Sequence, residues 1–183
     1  MKTKLLIIAG LLVIAFAAMI APVMAGSTAT ITGNVAKTIT VNVNGTITDW
    51  PLTSGITNTN STSVTLDVSS NSPGWVVSIK DALDGGKPSA GHLVDYTGST
   101  YGTVALGSAL GISSASVTGL TGGSVAALSG SDSTIETGAS DYTGAGTFTA
   151  TPLTFSQLVA ITDPVLESGH TYRIIVTFTG TTP

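Results

Sequence analysis

Two histidines, His92 and His170, are the side chains of this chain that ordinarily titrate near neutrality. A hydrolase would need one of them against an acid and a hydroxyl. Serine and threonine are too abundant for any one to stand out, and no Gly-x-Ser-x-Gly elbow occurs. Each histidine follows a glycine (Gly91-His92, Gly169-His170), the setting of an exposed loop. No catalytic residue is therefore expected, and the chain reads as a non-enzyme.

Metal chemistry would fall to carboxylates. Asp81, Asp84 and Asp95 flank a Gly-rich turn, and Asp163 lies close to Glu167 before the last apolar run. Calcium takes about six to eight oxygens, which such loops can supply. However, the EF-hand spacing is absent, and aspartate is also an ordinary turn former. Neither a metal site nor a cofactor is expected, and calcium belongs to an alternative reading. Asn44-Gly45-Thr46 and Asn60-Ser61-Thr62 are N-glycosylation sequons at turns. Trp75 is in phase with Val77 and Ile79 and is assigned to the core. Trp50, followed by Pro51, is the better candidate for an exposed aromatic, with burial at a sandwich edge as the competing expectation. Beside Tyr96 or Tyr101 it would form a glycan platform.

These residues must be positioned by strands. Ile39, Val41 and Val43 alternate with Thr40 and Asn42, and Val64, Leu66 and Val68 repeat the scheme. The run from Trp75 to Ile79 and the closing run Tyr172–Phe178 follow the same period of two, the pattern of half-buried antiparallel strands. Ala29–Thr32 is a shorter alternating run. Asn44-Gly45, Asn71-Ser72-Pro73-Gly74, Asp84-Gly85-Gly86 and Ser168-Gly169 punctuate them as turns. Short strands are expected through the Gly- and Ser-rich middle, residues 98–146, and a short helical turn over Ser156–Ile161. The predicted fold is all-β, an antiparallel β-sandwich over residues 26–183 preceded by an N-terminal hydrophobic signal helix.

That signal occupies residues 1–25. Lys2 and Lys4 precede the uncharged run Leu5–Ala21, and Val23-Met24-Ala25 is a small-residue cleavage site. A retained anchor is the alternative, since 17 apolar residues approach the ~20 that span a bilayer. Removing residues 1–25 leaves Lys37, Lys80, Lys87 and Arg173 against ten acidic residues, a formal net of −6. Such a surface excludes nucleic acid, which needs clustered Lys and Arg. With no cysteine, stability must come from sheet pairing and burial rather than disulfides.

Asn71–Asp81, with Trp75 and Val77, resembles the Trp-x-hydrophobic strand of WxL-domain surface proteins. Tyr172–Phe178, near the terminal Pro183, is similar to their closing strand. The order of a Trp strand, a Gly-rich middle and a closing strand is similar also to small secreted β-sandwich proteins of methanogenic archaea. Val77 stands where the family has Leu, Phe178 where it has Trp, and Gly180 where it has Leu. Trp50-Pro51-Leu52 spells the motif but precedes a turn. The resemblance implies a secreted domain held at the cell surface without covalent anchoring, and peptidoglycan binding is not carried over. The expected function is thus an exported structural domain, secreted or at the cell surface, whose partners are a surface component or copies of itself. With only five residues beyond Phe178, no room is expected for a C-terminal sorting motif. Ser27–Val35 is the segment that could pair at a sheet edge, its own or a neighbour's. The alternative is an extracellular module binding glycan or calcium.

Overall fold

The structure, a computed structural model, describes residues 30–138 and 146–183, with the backbone alone for 146–150. The signal segment 1–25 and its helix lie outside the described residues. The chain divides into two units, Met1–Val35 and Ala36–Pro183. Of the first, Thr30–Val35 belongs to no strand and is exposed throughout. The strand expected over Ala29–Thr32 is thus not formed at its described residues.

The second unit is all-β, built from antiparallel sheets consistent with a β-sandwich. One sheet runs β1 (Ile39–Asn44), β3 (Thr65–Ser70), β11 (Gly146–Leu158), β7 (Gly111–Ser114), β9 (Ser124–Val125), with β2 (Thr57–Asn60) also paired to β11. A second runs β13 (Val176–Thr181), β4 (Val76–Asp81), β10 (Ser133–Gly138), β8 (Leu120–Gly122). A third joins β12 (Thr171–Arg173), β5 (Val94–Tyr96) and β6 (Tyr101–Ala105). The alternation read from the sequence places one face of each strand inward. Leu66, Val68, Ile112 and Leu153 of the first sheet meet Val77, Ile79 and Ile135 of the second in one core. The chain crosses between these sheets at Gly123. Its N–H donates to Ile135 at 2.7 Å, while its carbonyl accepts from Ser114 at 2.9 Å.

Two local expectations give way. Ser156–Leu158 continues β11 instead of turning as a helix, because Phe155–Leu158 pairs with β2 and Leu153–Ser156 with β7. The closing run is two strands, not one. Thr171–Arg173 pairs with β5, and Val176–Thr181 pairs with β4. Between them Ile175 turns its carbonyl to Ala82, at 2.9 Å.

Gly180 explains one departure from the WxL pattern. A Cβ there would stand 2.7 Å from Val41 Cγ2 and 2.9 Å from Ile39 Cδ1, so β1 and β13 approach through the missing side chain. Gly180→Leu should lower stability by about 1–3 kcal/mol through overpacking. An unchanged urea midpoint would contradict this close approach.

Candidate functional site

The turn after β1 carries Ile47, Trp50 and Leu52 along one bank. Tyr172, Ile174, Val176 and Phe178 line the other. All seven are half-buried and pack against the core. Between them lies a cleft of about 740 Å³, within the usual range for binding sites. Val64, Leu110 and Phe155 contribute to its lining, and His170, Arg173 and Asp163 add polar groups. The exposed apolar side chains of Val43, Ile161 and Val165 also border it, Val165 at 97% exposure. Among the described residues both flanking strands, β1 and β13, are terminal in their sheets and pair on one side only. Trp50 is half-buried and packed against the core rather than fully exposed. Tyr96 and Tyr101 are not among the residues of the cleft, so the glycan platform is not assembled as expected.

The two tyrosines instead face each other across β5 and β6, ring centroids 5.0 Å apart. The Arg173 guanidinium lies 4.2 Å from the Tyr96 ring centre and 3.6 Å from Asp84 Oδ2. Tyr101 donates to Asp84 Oδ1 at 2.9 Å. Burial, reinforced by that carboxylate, pushes the Tyr101 hydroxyl up to about 12.

The three aspartates proposed for calcium are separated by their own partners. Asp81 takes Lys87, Asp84 takes Tyr101 and Arg173, and Asp95 takes His170. Among the described residues no three His, Asp or Glu side chains come together as a metal-binding group. Asp163 accepts from the Gly107 and Ala160 backbone N–H groups, at 2.9 and 2.7 Å. It is a loop clasp, in keeping with its turn-forming chemistry.

His92 Nδ1 lies 2.7 Å from the Leu106 carbonyl. His170 Nδ1 is 2.9 Å from Asp95 Oδ1 at the edge of the cleft. An acid and a base are thus paired. The hydrogen bonds of the described residues bring no serine or threonine hydroxyl to that imidazole.

Asn44 is exposed and donates to Asp67 Oδ2 at 2.9 Å, next to the Gly45 and Thr46 that enter the cleft. Asn60 caps its own turn, accepting from Ser63 N–H at 3.2 Å. Glu136 was not singled out from the sequence. It is fully buried on β10 and accepts from the Ser114 hydroxyl of β7, while its Oε2 has no partner. Burial pushes its carboxyl up to about 7, against the opposing pull of Ser114. A bulge between Thr134 and Glu136 lets both Ile135 and Glu136 face inward, so simple alternation could not find it.

Comparison with known protein families, with characterised proteins and with solved structures finds no match to this chain.

Proposed function

We propose that this chain is an exported, non-enzymatic β-sandwich of the cell surface that assembles with copies of itself. The observation that carries this reading is the apolar cleft beside β1 and β13, each of which pairs with a single strand among the described residues. The occupant is the segment Ser27–Val35 of another copy. It carries no charge, and Ala29, Ile31 and Val35 share one face of an extended strand. At about 3.3 Å per residue it would span roughly 30 Å. Ile31 and Val35 are 93% and 87% exposed, apolar surface that strand addition would bury.

The signal at residues 1–25 would deliver the domain, and noncovalent pairing would hold it without a cofactor. The resemblance to WxL-domain proteins agrees with a surface location. Glycans on Asn44 or Asn60, where the host can add them, would sit at turns, that on Asn44 beside the cleft.

Deleting Ser27–Val35 should abolish assembly while leaving the melting temperature of the remaining domain unchanged, as read by sedimentation velocity and thermal denaturation. Assembly that survives the deletion would refute donation. Trp50 and Tyr172 on the same cleft favour a second reading, a module that binds a glycan. Saturable heat on titration with oligosaccharides, lost in Trp50→Ala, would support it.

A further inference from the structure

Asp81 ends β4, and Lys87 follows the tight turn Asp84–Gly86. Their side chains touch, and neither has any solvent exposure. Asp81 Oδ2 also accepts from Gly91 N–H at 2.7 Å, and Oδ1 accepts from Leu83 N–H at 3.1 Å. Both carboxyl oxygens are therefore held by backbone donors, with the amine against one of them.

Burying two opposite charges without water is expensive. Burial lowers the Lys87 pKa, while Asp81 and Asp84 oppose the shift. An amine and a carboxyl group in enclosed contact are the reactants of an amide.

We infer that Lys87 and Asp81 join in an intramolecular isopeptide bond once the chain has folded. The Lys87 Nζ lone pair attacks Asp81 Cγ, and a C–N bond forms as one C–O bond breaks. The leaving oxygen departs as water with two of the three protons that the pair holds. The third stays on the amide nitrogen. Nothing is oxidised or reduced, and no further reactant enters. The Leu83 and Gly91 N–H groups each donate to one carboxyl oxygen, so the oxygen that stays keeps a fixed donor as charge develops on it, which is how such donors accelerate acyl transfer. The enclosed contact of Lys87 Nζ with Asp81 Oδ2 holds the amine beside the carboxyl carbon, the proximity that a free amine and acid lack.

The bond would clamp the turn that presents Asp84 to Tyr101 and Arg173. In a chain with no cysteine, it is a cross-link indifferent to redox conditions.

Intact-mass spectrometry of the purified full chain decides the matter. The wild type is expected to be lighter than its sequence by one water, with fragments branched at Asp81 and Lys87. Lys87→Met and Asp81→Ala should both recover the full mass. Asp84-Gly85 could lose the same water as a succinimide. Asp84→Glu serves as the control and should keep the loss, and mild base should not reverse it. Full mass in the wild type, a loss reversed by base, or a loss that fragments assign to Asp84 would each overturn the inference.

Discussion

The protein is expected to resist urea better at pH 4.5 than at pH 8, and Glu136→Gln should erase the part of that difference due to this carboxyl. Glu136 has a folded-state pKa of about 7, raised by burial between the two sheets from the ordinary 4.5. Below pH 4.5 both folded and unfolded chains hold the proton, so the group costs nothing. Between pH 4.5 and 7 the unfolded chain releases it while the folded chain retains it, and stability falls as pH rises. Above pH 7 the loss levels off. One pKa unit corresponds to about 1.4 kcal/mol, so the full difference is at most about 3 kcal/mol. Gln keeps an acceptor for Ser114 but cannot titrate. A Gln variant with the same pH slope would show that Glu136 does not carry it.

Trp75→Ala should cost about 3–5 kcal/mol, the usual loss for a large aromatic truncated in a core. Trp75 is 1% exposed. A Cβ at Gly138 would lie 2.3 Å from its indole Nε1, so the neighbouring strand gives up a side chain to admit the ring. Trp50→Ala should cost far less, no more than about 1–2 kcal/mol, because Trp50 covers the core from only one side. Its effect should fall on assembly instead. Thermal melts of the two variants separate the roles, and similar losses would contradict the assignment of Trp50 to an open cleft.

Period-two alternation made the core strands readable, since Leu66, Val68, Val77 and Ile79 each face inward as their spacing requires. It could not show that the run Tyr172–Phe178 changes sheets. Tyr172, Ile174, Val176 and Phe178 keep one phase, and only backbone partners far along the chain divide them. Trp50 was legible as a candidate for exposure because Pro51 breaks the local pattern. The opposite bank of its cleft was not, because those side chains look like any buried strand. Asp81, Asp84 and Asp95 read as one acidic group around a turn. Their cationic and hydroxyl partners come from Lys87, Arg173, His170 and Tyr101, and no local spacing announces those pairings.

The central claim, that the cleft between β1 and β13 is filled by a neighbouring copy, is tested most directly by Trp50 emission. The chain beginning at Gly26 would be diluted through its association range, with sedimentation velocity run on the same samples. Trp75 is enclosed in the core and should contribute a constant signal. The expected result is blue-shifted emission in the assembly that moves to the red as copies separate, with no shift in Trp50→Phe. Association without a change at Trp50, or a monomer at every concentration, would contradict the account.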